Sequence, residues 1–183
     1  MHKNIIFPAY LDTNVLVNYL LKINPVKHKW VEKTLNYSRK YKERLYISLF
    51  SLIELWDVLL RYHLEVDGLI HRKGKDNKPR SVSEYFKQYD KSVIAIKYSA
   101  IIKRYTLIIL GFNNLKVVPG RELFKNKTVS DLIEKSFENH KYNLLPMDNF
   151  HISTAILAGA RSFVTSDSDF ESINIKDITI VKY

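Results

Sequence analysis

Residues 5–12 read Ile5-Ile6-Phe7-Pro8-Ala9-Tyr10-Leu11-Asp12, a short apolar run that ends on an acidic residue. A run of this length and composition predicts a buried strand. The next apolar side chains recur at helical spacing: Leu16, Val17, Leu20 and Leu21. A helix is therefore predicted to begin just after Asp12. A strand that passes directly into a helix is how an α/β chain begins.

The same alternation continues along the chain. Short apolar runs predict further strands at 45–47, 115–118, 162–165 and 178–181, and helical patterns lie between them at 30–41, 48–63, 94–112, 130–139 and 148–159. Strands that alternate with helices predict a parallel sheet with helices on both faces. We therefore predict a single α/β domain over residues 1–183, with three α/β/α layers and about five strands. The apolar stripe of 94–112 predicts a core or dimer surface.

Composition limits the class of protein. The 183 residues carry a formal net charge of +10, 46% hydrophobic residues and no cysteine. A hydrophobic fraction of this size excludes a disordered chain, and the missing cysteines exclude disulfides and thiolate metal sites. The missing cysteines suit a cytoplasmic protein, which we expect. We also expect no membrane span, because the longest apolar stretch, 93–112, contains Lys97, Lys103 and Arg104. The basic balance favours nucleic acid as a partner, although a Lys-rich surface that serves solubility is the alternative.

Four acidic residues stand at strand ends and helix starts: Asp12, Glu54, Asp148 and Asp167. Ligands of parallel sheets bind beyond the carboxyl ends of the strands, where Asp12 and Asp167 are predicted to lie. Carboxylates gathered there repel one another unless a cation is bound. Mg²⁺ and Mn²⁺ prefer oxygen ligands and can activate water against a phosphodiester. The pattern predicts a site for one or two of these ions.

Each acid also has a local explanation. Asp12 and Asp148 are placed to be N-caps, Ser51 and Glu54 have the spacing of a capping box, and Asp167 lies in a turn-like Ser-Asp-Ser-Asp segment. Taken singly, these alternatives are as good as the metal site. Their joint placement favours the site, and amides in place of the acids are predicted to abolish its activity while leaving the fold intact or slightly more stable.

Four short motifs resemble, in order, those of the PIN-domain nucleases. They are residues 9–16 (AYLDTNVL), 51–55 (SLIEL), 146–155 (PMDNFHISTA) and 159–170 (GARSFVTSDSDF). Each motif is weak alone, but together they cover nearly the whole chain. The resemblance implies a sheet in the order 3-2-1-4-5 and metal-dependent cleavage of single-stranded RNA. It also implies kinship with VapC-type toxins, which are held by a small antitoxin and are often homodimers.

The resemblance also assigns roles to residues. It places Asp12, Glu54, Asp148 and Asp167 on the metal and as catalytic residues. Beside them, it gives a supporting place to Asn14, Thr165, Ser166 and Asp169. Small toxins of this kind are shorter than this chain, and the extra length falls at about 67–91, as an insertion in the domain. From the basic character of the surface we predict RNA contacts at Arg72, Lys73, Lys75 and Arg161.

Two other interpretations compete with a nuclease. Phosphatases of the haloacid dehalogenase class need a second acid two residues after the first, where this chain has Asn14. A non-catalytic RNA- or protein-binding module of the same fold would have no physical reason to keep all four acids. His151 is a candidate general acid, but a packed histidine is the more frequent role for such a residue.

Overall fold

The computed structural model of the chain describes residues 5–70, 91–118, 128–171 and 173–183. In these ranges the strands are β1 (Ala9–Leu11), β2 (Leu45–Ser48), β3 (Leu115–Val118), β4 (Ser162–Thr165) and β5 (Thr179–Lys182). The helices are α1 (Thr13–Leu21), α2 (Pro25–Lys40), α3 (Leu49–Val66), α4 (Lys91–Leu110), α5 (Val129–Asn139) and α6 (Pro146–Leu157). Short 3₁₀ turns occupy His140–Tyr142 and Ser168–Phe170.

The five strands form one sheet in the order β3-β2-β1-β4-β5, and every neighbouring pair is parallel. In the middle of the sheet, Ala9 pairs with Leu45 on one side and with Ser162 on the other. The predicted α/β class and strand order are therefore confirmed. All five strands end at the same edge, which is the edge where the acidic residues after β1 and β4 must lie.

Contacts divide the chain into two compact units. The sheet unit comprises Met1–Leu52 and Phe112–Tyr183, and the helical unit comprises Ile53–Gly111. All five strands belong to the sheet unit. Helix α3 begins in the sheet unit and continues into the helical unit, to which α4 belongs.

Both faces of the central strands are buried. One face carries Tyr10, Tyr46 and Phe163, which form a core cluster together with Ile152 and Ala155 of α6. The alternate residues of the same strands belong to the opposite face: Leu11, Ile47 and Val164, each 0% exposed. Strands that are covered on both sides have continuous apolar sequences, which is why the sequence pattern identified them.

Element ends differ from the sequence expectations where capping decides them. The first strand covers only Ala9–Leu11 of the predicted 5–11. Helix α2 begins at Pro25, not at Trp30, because the Asn24 side chain accepts from two backbone N–H groups and Pro25 suits the first helical position. Helix α5 is capped by Thr128, not by Ser130: Thr128 and Asp131 exchange side-chain-to-backbone bonds as a capping box.

The predicted apolar stripe on α4 is correct in part. Tyr98 is 2% exposed and packs with Leu64 and Ile70, and Ile101 lies against this cluster. Ile109 is buried, whereas Ile108, the predicted member of the stripe, is 41% exposed. The buried face therefore shifts by one residue near the C-terminal end of α4.

Two further predictions from the sequence concern the insertion at 67–91 and the absence of a membrane-spanning helix. Of the predicted insertion at 67–91, residues 71–90 lie outside the described residues, so its form stays a prediction. Among the helices of the described ranges, none is long and apolar enough to cross a membrane.

Candidate functional site

Asp12 is fixed at the carboxyl edge of β1. Its backbone N–H donates to the carbonyl of Val164 (3.0 Å), which ties it to β4. As the N-cap of α1, its Oδ1 accepts the N–H of Thr13 (2.7 Å), so the predicted capping role is confirmed. The residue is only 8% exposed. Capping uses one carboxylate oxygen and leaves Oδ2 for contacts across the sheet edge.

The Oδ2 atom of Asp12 is held by two side chains that the sequence motifs indicated as supporting residues. It accepts from Asn14 Nδ2 (2.6 Å) and from Thr165 Oγ1 (2.7 Å). Asn14 Nδ2 also donates to the Thr165 hydroxyl (2.9 Å), and Asn14 Oδ1 accepts the N–H of Ser166 (3.0 Å). These bonds join the ends of β1 and β4 and fix the orientation of the carboxylate.

Asp167 lies beside this network. Its N–H donates to Thr165 Oγ1 (2.9 Å), and its Oδ1 accepts the N–H of Asp169 (3.0 Å). It is therefore the N-cap of the 3₁₀ turn Ser168–Phe170, so the predicted turn role is also present. Asp169 is exposed. The turn that follows β4 therefore contains two of the predicted acids, Asp167 and Asp169.

Asp148 approaches the same edge from α6. It is not the N-cap, as the sequence allowed: the cap is Leu145, which makes no side-chain bond, and Asp148 lies in the first turn. Burial, and after it the charges of Asp12 and Asp167, raise the pKa of the Asp148 carboxyl to about 6, while His151 opposes the shift. The carboxylates of the sheet unit are therefore close enough to repel one another.

Glu54 lies in α3 and belongs to the helical unit. The predicted capping box of Ser51 with Glu54 is wrong by one turn. The box is formed by Ser48 and Ser51: Ser51 N–H donates to Ser48 Oγ (2.9 Å) and Ser48 N–H donates to Ser51 Oγ (3.3 Å). The capping box therefore does not include Glu54, and its metal role stays a proposal that rests on the sequence motif.

The predicted RNA contacts divide into two groups. Arg72, Lys73 and Lys75 lie outside the described residues. The backbone of Arg161 precedes β4, and its N–H donates to the carbonyl of Pro8, just before β1 (2.7 Å). This position is at the amino edge of the sheet, opposite to Asp12 and Asp167, so Arg161 is not brought together with the acids.

The sequence reasoning missed two residues at the end of β5. Lys182 donates to the carbonyl of Asp167 (2.7 Å) and pairs with Glu171 (2.9 Å). Tyr183 contacts Asn14 through its hydroxyl (3.4 Å), and burial raises its pKa to about 12. Because β5 is parallel to β4, the carboxyl-edge rule applied to the last predicted strand would have pointed to both residues.

His151 is packed in the core, in agreement with the more frequent role. It is 2% exposed, and its Nδ1 lies 2.7 Å from the Tyr10 hydroxyl and 3.5 Å from the hydroxyls of Ser48 and Ser51. The ring therefore joins a buried polar network between β1, the start of α3 and α6. Its contribution to the acids is the favourable charge interaction with Asp148.

The acidic side chains are chemically suitable ligands for a divalent cation. Their donors are carboxylate oxygens, which hard ions prefer. Burial, and after it the charges of Asp12 and Asp167, raise the pKa of Asp148, and a bound cation would offset both effects. Within the described ranges, however, no three His, Cys, Asp or Glu side chains form a closed group placed to hold a metal ion.

Comparison with known proteins gives two results. The family described as PIN domain matches residues 9–176, which includes all four predicted acids. The fold is also similar to a chain in the crystal structure of VapBC2 from Rickettsia felis bound to a DNA fragment from their promoter. That likeness has a TM-score of 0.54 and 18% sequence identity, and covers 95% of this chain and 97% of the other. No curated protein matches this chain in sequence.

Proposed function

Because the chain belongs to the PIN-domain family, whose members are generally nucleases, we propose that it is a divalent-metal-dependent endoribonuclease that cleaves single-stranded RNA. The observation that supports this most is the meeting of Asp12, Asp148 and Asp167 at the carboxyl edge of the sheet, where burial, and after it the charges of Asp12 and Asp167, raise the pKa of the Asp148 carboxyl. A formal net charge of +10 on the whole chain makes an anionic polymer a suitable substrate.

In this proposal, Asp12, Asp148 and Asp167 hold one or two Mg²⁺ or Mn²⁺ ions, and Glu54 is the fourth ligand by its sequence motif. When bound, the ion supplies an activated water and stabilises the leaving oxygen of the phosphodiester. The protein's part is positioning. Asn14 and Thr165 hold the Asp12 carboxylate, and the Asp167 backbone is held through Thr165 and Lys182.

Thr165→Val tests this positioning role. The valine has the shape of threonine but leaves Asp12 without one donor and the Asp167 N–H without its acceptor. We expect a loss of about 2–3 kcal/mol in the free energy of unfolding and a loss of about 10- to 100-fold in cleavage. Urea denaturation and cleavage of labelled RNA measure the two effects. Thr165→Ser keeps the hydroxyl and should restore most of both; a valine variant with unchanged cleavage would contradict the role.

Metal dependence is tested with the unaltered protein. Labelled single-stranded RNA is incubated with Mn²⁺, with Mg²⁺ or with EDTA. We expect cleavage with either ion and none in EDTA, because the carboxylates alone can neither activate water nor offset the charge on phosphate. Asp177→Asn is a matched control, since Asp177 is an exposed acid of the same unit, and this variant should cleave as the unaltered protein does.

Cleavage that persists in EDTA would contradict the metal-dependent mechanism. Binding of RNA without cleavage under any of the three conditions would favour the alternative, a non-catalytic RNA-binding module of the same fold. Neither outcome would change the membership in the PIN-domain family.

We further propose that the chain is the toxin of a toxin–antitoxin pair, with a small antitoxin protein as partner and a homodimer as its own assembled state. The support is the similar fold in the VapBC2 complex. Sedimentation of the purified chain tests the dimer. Expression of the chain with and without the protein encoded beside it tests the antitoxin: growth arrest that the neighbour relieves supports the pair, and growth unaffected by the active chain contradicts it.

A further inference from the structure

A basic cavity lies at the amino edge of the sheet, opposite to the acids. Its volume is about 430 Å³, and its lining consists of four cationic and two amide side chains: Arg39, Lys42, Arg44, Lys116, Asn113 and Asn114. All six belong to the sheet unit. Arg44 directly precedes β2, and the two asparagines directly precede β3, so parallel strand starts bring them together. The lining contains no acidic residue.

Arg39 lies in α2, Lys42 and Arg44 lie in the loop between α2 and β2, and Lys116 lies in β3. No single local cause explains all four. A basic residue near the end of α2 complements the helix dipole, and a lysine on the edge strand β3 discourages strand pairing. Neither effect accounts for Arg44, which also lines the cavity. In the part of the chain that the structure describes, none of the four takes part in an ion pair. Uncompensated cations in a concave site favour a bound polyanion.

Lys42 adds an independent observation. It follows α2 in the left-handed conformation, with φ of 56°, where glycine is the favoured residue. The Glu43 N–H donates to the Ser38 carbonyl (2.8 Å) and the Lys42 N–H to the Arg39 carbonyl (3.3 Å), which is the hydrogen-bond pattern of a Schellman motif. A lysine in place of glycine costs stability here, and its charge lies in the cavity lining.

Asn114 supplies a neutral contact in the same cavity. Its Nδ2 donates to Ser38 Oγ (3.0 Å) and to the Glu43 carbonyl (2.8 Å), which fixes the orientation of the amide. Its Oδ1 is buried and has no hydrogen-bond partner among the described residues.

We propose that this cavity binds backbone phosphates of single-stranded RNA, as an anchor remote from the acids. Arg39, Lys42, Arg44 and Lys116 contact the phosphates. The identity of the strand as RNA rests on the proposed ribonuclease function, whereas the affinity of the cavity for phosphates does not depend on cleavage.

The experiment measures binding in a protein that does not cut. The full chain with Asp12→Asn, in EDTA, is titrated against a labelled single-stranded RNA by fluorescence anisotropy at several salt concentrations. Adding Arg44→Gln and Lys116→Gln should weaken binding about tenfold and lower the slope of log affinity against log salt by about 0.7 for each phosphate that is no longer neutralised. Because the background does not cleave, failure of the ribonuclease proposal would leave this measurement unchanged.

A pair of glycine variants separates the cavity from general charge. Lys42→Gly removes a cavity cation while relieving the left-handed backbone, so we expect weaker RNA binding together with an equal or higher Tm. Lys22→Gly is the matched control: Lys22 is also exposed and left-handed, with φ of 53°, but does not line the cavity. Weaker binding with a raised Tm in Lys42→Gly alone cannot come from misfolding and supports the anchor.

Three results would overturn the proposal. The cavity variants could bind RNA as tightly as their parent, or Lys22→Gly could weaken binding as much as Lys42→Gly, which would reduce the effect to net charge. In the third result, the cavity variants bind RNA normally but no longer bind polyglutamate, which would assign the cavity to an acidic protein segment.

Discussion

Asp12→Asn is expected to abolish RNA cleavage and to lower the free energy of unfolding by about 1–2 kcal/mol. Oδ1 of the carboxylate accepts a hydrogen bond from Thr13, and Oδ2 accepts from Asn14 and Thr165. An amide has a single acceptor oxygen, so its NH₂ group must face a donor on one side. The missing bond outweighs the relief of charge repulsion, since Asp12 is anchored by its neighbours and nearly buried.

Cleavage of labelled RNA and urea denaturation in EDTA measure the two parts of this prediction. The amide removes a proposed metal ligand, so no concentration of Mn²⁺ within the working range should restore cleavage. Asp177→Asn again serves as the control, with both quantities unchanged. If Asp12→Asn were more stable than the unaltered protein, charge repulsion would dominate over the hydrogen bonds at this residue. If it cleaved RNA normally, Asp12 would be excluded from the site.

Asp148→Asn is expected to abolish cleavage to a similar extent, on the order of 100-fold or more, because removal of a proposed metal ligand should cost more than the 10- to 100-fold typical of supporting residues. Its effect on stability has the opposite sign. Among the described residues the Asp148 carboxylate has no hydrogen bond, and it lies in the field of Asp12 and Asp167. An uncharged amide of the same shape removes the repulsion and the cost of burying a charge, without breaking a bond.

The pH dependence of stability follows from the raised pKa of Asp148, about 6 in the folded protein against 3.8 for an ordinary aspartate. Between these values the folded state binds more protons than the unfolded state, so the free energy of unfolding falls as pH rises. The contribution is fully present below about pH 4 and is lost by about pH 6. Allowing for partial exposure, we expect a loss of about 1–2 kcal/mol, which Asp148→Asn should remove.

Thermal unfolding in EDTA between pH 4 and pH 8 tests this difference. The unaltered protein should lose more stability across the window than Asp148→Asn, and Mn²⁺ should raise the Tm of the unaltered protein more than that of the variant. Parallel stability profiles for the two proteins would show that Asp148 titrates normally and lies outside the field of the other acids. Together, the two amide variants distinguish Asp12, whose carboxylate is stabilised by hydrogen-bond donors, from Asp148, whose carboxylate is destabilised by burial and by neighbouring charges.

The expectation from sequence that amides leave the fold intact or slightly more stable treats the four acids as equivalent. Their surroundings differ. Asp12 acts as a helix cap and a hydrogen-bond acceptor, Asp167 caps a turn, and Asp148 caps nothing. The caps could not be assigned correctly from spacing alone, because Ser51 with Glu54 has the same spacing as the box that Ser48 forms with Ser51.

The sequence by itself determined the elements, the parallel sheet and the edge at which Asp12 and Asp167 lie. These features follow from local apolar patterns and from the rule that parallel strands end together. Only the tertiary structure decided how the acids differ and where the basic cavity forms. The bond between Thr165 and Asp12 joins residues 153 positions apart. The cavity brings together Arg44, directly before β2, and Lys116 of β3, because these two strands are neighbours in the sheet. Such contacts depend on the packing of segments that are distant in sequence, so a local sequence pattern does not predict them.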